Sequence, residues 1–131
     1  MRLYISNVIE YTRDKGYCET IFGRKRFFPE INSRNATNRQ RAERAAMNAP
    51  LQGSAADIIK TAMIKCDKLI EKRKLDARLC LQIHDELIFE THFSVAEEFL
   101  PLVRQEMENA AVLSVPLLVN ASSGADWGEL K

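Results

Sequence analysis

The chain has 131 residues, of which 46% are hydrophobic and 28% are charged, and its net charge is +1. This length allows one modest domain with a single core, and the composition is that of an ordinary globular protein. No apolar run approaches the ~18 residues of a membrane span, and no signal peptide is recognisable. We therefore expect no membrane partner.

The charge is unevenly distributed along the chain. Residues 24–44 contain seven basic and two acidic side chains, a local balance of +5, so the remainder is acidic. This asymmetry favours an anionic ligand on one face. The cysteines, Cys18, Cys66 and Cys80, are far apart in sequence, which favours reduced thiols and an intracellular setting, here the cytoplasm.

The first third of the chain is predicted to form a helix and a hairpin. Residues 3–15 have helical apolar spacing and end at Gly16, which is a helix stop signal. This helix begins almost at Met1 without a cap, so we expect the sequence to be cut from a longer chain. Residues 17–29 predict a hairpin around Gly23-Arg24, followed by a polar loop over residues 31–36.

Residues 37–74 are predicted to be two helices. Thr37 and Gln40 form a capping box for a helix that ends near residue 48, and Pro50 suits the first turn of the next helix. Leu51 starts an amphipathic stripe of period 3.6 that continues to Leu69.

Residues 77–91 are predicted to be two strands that turn at His84-Asp85. A two-residue turn needs positive φ angles, for which His-Asp is a poor choice, and a broken local rule marks a candidate functional site. Ser94 and Glu97 then form a capping box for a helix that Pro101 should kink, followed by a strand at residues 117–119 and a tail to residue 131. The clustered strands indicate an α+β fold, an antiparallel sheet backed by helices.

Asp85 is the first candidate for chemistry. A carboxylate at the tip of a rigid ribbon suits a Mg²⁺ ligand, although a solvated turn residue explains it as well. Glu86 points to the opposite face, and none of the other aspartates follows a strand near Asp85, so the site is incomplete. His84 could be a base, a phosphate contact or a mere turn residue, and Gln82 could lie on the solvent face.

Arg44, Asn48 and Gln52 are spaced four residues apart and would form one polar stripe on a helix. Such side chains donate to phosphates and to base edges in the minor groove. A solvated helix face is the alternative, but that face would be richer in Lys and Glu. Arg24 and Arg26 could form a nucleic-acid patch or an exposed basic hairpin.

These segments together resemble family A DNA polymerases, of the bacterial DNA polymerase I type. Residues 42–57, AERAAMNAPLQGSAAD, resemble the palm helix of that family, and residues 82–86, QIHDE, resemble its third polymerase motif. Residues 16–29 are similar to the hairpin before the helix, and Gly124-x-x-Trp127 is similar to the C-terminal end. The match runs in unbroken order from residue 16 to residue 127.

The resemblance implies a role for each matching residue. Asp85 would be one of two aspartates that hold two catalytic Mg²⁺ ions, and Glu86 a secondary acidic group. Gln82 and His84 would lie by the primer terminus. The template-primer DNA would meet four further side chains: Arg39, Arg44, Asn48 and Gln52.

Much of the family's polymerase domain has no counterpart here. The strand with the second catalytic aspartate, the fingers helix that binds the deoxynucleoside triphosphate, and the thumb are all absent from the sequence. We therefore expect part of the palm of a right-hand polymerase fold, inactive alone, with a cut surface that could drive self-association. The alternative is a non-catalytic DNA-binding or assembly module that keeps the fold. The interpretation as a metal hydrolase is not supported, because the sequence has no second cluster of metal ligands.

Overall fold

The computed structural model describes residues 1–130 as helices and two antiparallel hairpins, which confirms the α+β prediction. The elements are α1 (Arg2–Lys15), β1 (Tyr17–Glu19), β2 (Lys25–Phe27), a 3-10 helix (Pro29–Asn32), α2 (Ala36–Arg73), β3 (Ala77–Ile83), β4 (Glu86–Thr91), α3 (Phe93–Glu108) and a second 3-10 helix (Trp127–Glu129). The strands form two separate two-stranded sheets. Within the described residues, no helix has both the length and the apolarity of a membrane span.

The chain divides into two compact units, residues 1–57 and the residues from 58 onward, with the boundary inside α2. Each unit has its own cluster of buried residues. The prediction of a single core is therefore wrong. It failed because the apolar spacing along α2 is continuous and does not reveal where one set of packing partners gives way to another.

The core of the first unit is built around small side chains. Ala42, Ala46 and Ala49 lie on one face of α2 and are buried with Cys18 of the hairpin. Ile31, in the first 3-10 helix, is only 2% exposed. The prediction of a polar loop over residues 31–36 is therefore wrong at its start, because Ile31 anchors that segment to the core.

α2 is one helix of 38 residues, which corrects two predictions. Its N-terminal cap is Asn35, whose Oδ1 accepts hydrogen bonds from the backbone N–H groups of Thr37 (3.0 Å) and Asn38 (3.4 Å). Thr37 is therefore inside the helix and does not cap it. The helix also passes through Pro50 without ending. Proline removes one helical hydrogen bond, but the flanking sequence is rich in alanine, the best helix former, and Ala49 is held in the core.

The core of the second unit joins α2, the second hairpin and α3. Cys66, Phe99 and Val103 are buried together, and the Phe89 ring of β4 meets the Phe99 ring edge to face at 5.3 Å between centroids. Burial, with a smaller contribution from the charge of Glu106, raises the pKa of the Cys66 thiol to about 11. The buried part of the predicted stripe on α2 therefore lies toward its C-terminal end, whereas Leu51 is 60% exposed.

β3 and β4 form the predicted ribbon, with one irregularity in its register. Leu79 pairs with Phe89 and Leu81 pairs with Ile88, so Cys80 is an extra residue on β3. This β-bulge interrupts the predicted alternation of buried and exposed side chains. Leu81, which the alternation places beside Leu79, is 46% exposed.

Two predictions after the ribbon are wrong. The cap of α3 is His92, whose Nδ1 accepts a hydrogen bond from the Ser94 backbone N–H, so Ser94 does not start a capping box. Residues 117–119 do not form a strand in the described chain. Instead the Val119 backbone N–H donates to Glu108 Oε1 at 3.1 Å. This hydrogen bond lowers the pKa of the Glu108 carboxyl, and a hydrogen bond from the Arg104 side chain makes a smaller contribution in the same direction.

Candidate functional site

The turn of the second unit presents its polar side chains to solvent. His84 and Asp85 are the two residues between β3 and β4, and both are exposed, as is Glu86 at the start of β4. His84 has a φ of 54°, so it occupies the left-handed region that the short turn requires. The Gln82 side-chain amide donates to the His84 carbonyl oxygen at 3.2 Å. Four of the predicted site residues are thus brought together by two strand ends and one turn.

The donors at this turn do not by themselves complete a site for a divalent cation. Within residues 1–130, no group of three or more His, Cys, Asp or Glu side chains is arranged to hold a metal ion. Mg²⁺ favours carboxylate oxygens and keeps several waters, so one exposed aspartate can serve as part of a shell only. The chemistry of Asp85 therefore fits a shared metal site and not a self-sufficient one.

The predicted polar stripe lies in the first unit. Arg44, Asn48 and Gln52 are all exposed, and α2 is helical across the whole interval. The expected helical spacing is therefore confirmed. Arg39 is different, because it is half-buried and its guanidinium donates to the Ser33 carbonyl oxygen at 3.1 Å. In this structure Arg39 stabilises the loop before α2.

A cleft of about 200 Å³ separates the first hairpin from α2. Gln52 and Gly53 line it on the helix side, and Thr20, Arg24 and Arg26 line it on the hairpin side. The Arg26 guanidinium lies 5.2 Å from the centroid of the Phe28 ring. Glu19 also lines the cleft and the Arg24 guanidinium is paired with Asp57, so the charges at the cleft are mixed, and Gln52 is its candidate contact with DNA.

A second cleft, of about 250 Å³, lies on the N-terminal turns of α2. Thr37, Gln40, Arg41 and Arg44 line it. Arg41 is not among the predicted site residues. Arg41 and Arg44 are three residues apart, which places them on the same face of a helix, and this spacing could have identified Arg41.

Two unpredicted hydrogen bonds attach the first hairpin to α2. Arg24 Nε donates to Asp57 Oδ1 at 2.8 Å, and the Ile21 backbone N–H donates to Ser54 Oγ at 2.9 Å. A Cβ atom on Gly53 would lie only 2.7 Å from Thr20 Cγ2. The one available signal was Gly53 itself, since glycine inside a helix often marks a close approach of another segment.

The family model for DNA polymerase family A matches residues 1–129. The chain therefore belongs to DNA polymerase family A.

Relatives and a solved structure agree with this assignment. The chain is 48% identical over 128 residues to the DNA polymerase I of Mycobacterium leprae and to that of Streptococcus pneumoniae serotype 4. Each alignment covers 98% of this chain. It covers only 14% of the M. leprae protein and 15% of the S. pneumoniae protein, so the chain spans a small part of these relatives. It also matches the polymerase domain of Pol1 from M. smegmatis, solved with a DNA primer-template and dNTP, with a TM-score of 0.93 and 48% identity. That match covers 96% of this chain and 22% of the solved one.

Proposed function

We propose that this chain is the palm segment of a template-directed DNA polymerase, which extends a DNA primer with deoxynucleoside triphosphates. The observation that carries the proposal is the exposed Asp85 on the turn between β3 and β4, in a chain of family A. The polymerase structure that this chain resembles holds a DNA primer-template and dNTP.

Asp85 would supply one carboxylate to the divalent metal site of the complete enzyme, with Glu86 as a secondary acidic group. Bound Mg²⁺ would neutralise charge that develops on the transferred phosphoryl group. The second carboxylate and the nucleotide site would come from segments other than the described residues. His84 and Gln82, which share a hydrogen bond, would border the primer terminus.

The first unit would contact the DNA. Arg44, Asn48 and Gln52 would donate to the template-primer through its backbone and minor groove, which is supported by their exposure on one helix. Arg39 would act mainly by holding the loop at Ser33, since its guanidinium is engaged there. We also propose a cytoplasmic location, which is supported by the free state of all three cysteines.

The test is primer extension by the complete polymerase that contains this segment. Asp85→Ala should lower the incorporation rate by about 10³-fold or more, since it removes a metal ligand, and should leave DNA affinity nearly unchanged. The matched control is Asp67→Ala, which removes an exposed carboxylate from α2 and should have no effect.

An Asp85→Ala variant that keeps more than roughly a tenth of the rate would contradict the proposal. The isolated 131-residue chain should incorporate nothing, with its own Asp85→Ala variant as the control for contaminating polymerase. DNA binding without incorporation by the complete protein would favour a non-catalytic DNA-binding module.

A further inference from the structure

The Arg24–Asp57 ion pair of the first unit joins the loop of the first hairpin to α2. The Asp57 side chain is only 12% exposed, whereas that of Arg24 is 54% exposed. The Arg24 guanidinium spans two acceptors on α2, donating from Nε to Asp57 Oδ1 at 2.8 Å and from a terminal nitrogen to the Gly53 carbonyl oxygen at 3.3 Å. It is thus bonded to the helix turn that immediately follows Gln52.

The loop that carries Arg24 is internally closed. Thr20 Oγ1 accepts from the backbone N–H groups of Phe22 (3.3 Å) and Arg24 (3.2 Å), and the Gly23 N–H donates to the Thr20 carbonyl oxygen at 2.9 Å. Gly23 has a φ of 77°, which glycine adopts without strain. The hairpin therefore presents Arg24 from a defined loop and not from a loose one.

The loop docks where α2 is intrinsically weakest. Pro50 lacks the N–H that would bond to the carbonyl four residues earlier, and Gly53 is the poorest helix former apart from proline. Gln52 lies between these two residues. Without external support, the direction of the Gln52 side chain would not be well defined by the helix alone.

We propose that Arg24 and Asp57 are a positioning pair, which fixes the hairpin loop on the Pro50–Gly53 turn of α2 and so holds the Gln52 amide at the cleft in the orientation that primer-template DNA requires. The inference rests on the proposed function of Gln52 as a DNA contact. Arg24 acts through Gln52 and does not itself bind the DNA.

A double-mutant cycle on the complete polymerase separates positioning from direct contact. Arg24→Ala and Gln52→Ala should each weaken the Kd for a primer-template duplex by roughly tenfold, as expected for loss of a hydrogen bond to a charged partner. The double variant should be no weaker than Gln52→Ala alone, because the second change removes what the first one positions. The KM for the nucleotide should not change.

The matched control is Arg104→Ala on α3, which removes a guanidinium of similar exposure (53%) from another ion pair and should leave the Kd unchanged. If Arg24→Ala fails to fold, Asp57→Asn takes its place in the same cycle, since it keeps the shape and removes the charge.

If the two substitutions act independently, the double variant should bind the duplex roughly a hundredfold more weakly than the unchanged enzyme, and this result would overturn the positioning role of the pair. An unchanged Kd in either single variant would overturn it as well. The cycle measures DNA affinity without catalysis. An active Asp85→Ala enzyme would therefore refute the proposed function and leave the cycle interpretable, whereas failure of the cycle with an inactive Asp85→Ala enzyme would refute the pair alone.

Discussion

The side-chain amide of Gln82 donates to the carbonyl oxygen of His84, so a side chain of β3 is bonded to the turn that follows this strand. The bond spans only two residues and ends at the one position of the turn with a positive φ, 54°. Backbone shape and side-chain chemistry therefore impose separate demands on position 84.

Substitutions at His84 should separate those two demands. His84→Gly should not reduce the free energy of unfolding, because glycine accepts positive φ, whereas His84→Val should lower it by about 1–2 kcal/mol. If the imidazole borders the primer terminus, both variants should incorporate nucleotides more slowly. Urea unfolding of the chain and primer extension by the complete enzyme measure the two effects. Normal extension by the glycine variant would show that His84 serves the turn alone.

Arg44→Ala and Gln52→Ala should weaken DNA binding in different ways. Loss of Arg44 removes a cation, so the slope of log K against log salt should become shallower by about one, whereas Gln52→Ala should leave the slope unchanged and lower the affinity. The control is Lys68→Ala, an exposed cation on a later turn of α2. Fluorescence anisotropy with labelled primer-template at several salt concentrations measures both values. Equal effects of Arg44→Ala and Lys68→Ala would indicate a solvated face.

Gly53→Ala should destabilise the chain despite the better helix propensity of alanine. The added methyl would lie 2.7 Å from Thr20 Cγ2, and relief of that overlap should cost about 1–3 kcal/mol. Thr20→Ser removes the methyl and keeps the hydroxyl that closes the loop. In that background the cost of Gly53→Ala should largely disappear, which thermal or urea unfolding of the unchanged chain, the two single variants and the double variant would detect. The same loss in both backgrounds would contradict the packing argument.

Local signals in the sequence predicted the elements well and their ends poorly. Gly16 ends α1 with a φ of 79°, as its sequence position indicates, because a glycine stop depends on one residue alone. The cap of α2 was assigned to Thr37 and lies at Asn35, since several polar residues compete for that role and the backbone selects one. Continuity through Pro50 depends on the burial of Ala49, which no short pattern reveals.

For the candidate site, the sequence located the turn and the stripe but not the contacts that support them. His84 and Asp85 were predicted from the turn between two alternating strands, for which they are a poor choice of residues, and their exposure agrees with a turn. The Arg24–Asp57 pair joins residues 33 positions apart, so no local spacing could predict it. Residues 117–119 were apolar enough for a strand, but a strand also needs a neighbour to pair with, and Val119 instead bonds to Glu108.

The buried thiol of Cys66 should make the chain less stable at alkaline pH. Its pKa is raised to about 11 from 9.0, so between these values the unfolded chain loses a proton that the folded chain retains. The free energy of unfolding should therefore fall as the pH rises from 9 to 11, by an amount on the order of 2 kcal/mol from this group. Cys66→Ala should flatten the slope, as measured by urea unfolding at several pH values. Parallel slopes for the two proteins would contradict the assignment.

The β-bulge at Cys80 determines which residues form the turn. If Cys80 were paired instead of bulged, the register that holds up to Leu79 would continue and join Ile83 with Asp85, which would leave His84 alone between the strands. One residue cannot close a hairpin of this kind, for which two is the shortest common loop. The bulge shifts the pairing so that Ile83 meets Glu86 and Asp85 is freed. Deletion of Cys80 would join Leu79 directly to Leu81, whose partners Phe89 and Ile88 are already consecutive, so the two-residue loop would survive without the bulge. A residue five positions before Asp85 therefore sets the register that gives the aspartate its place in the loop, although it touches neither a metal nor DNA in the proposed function.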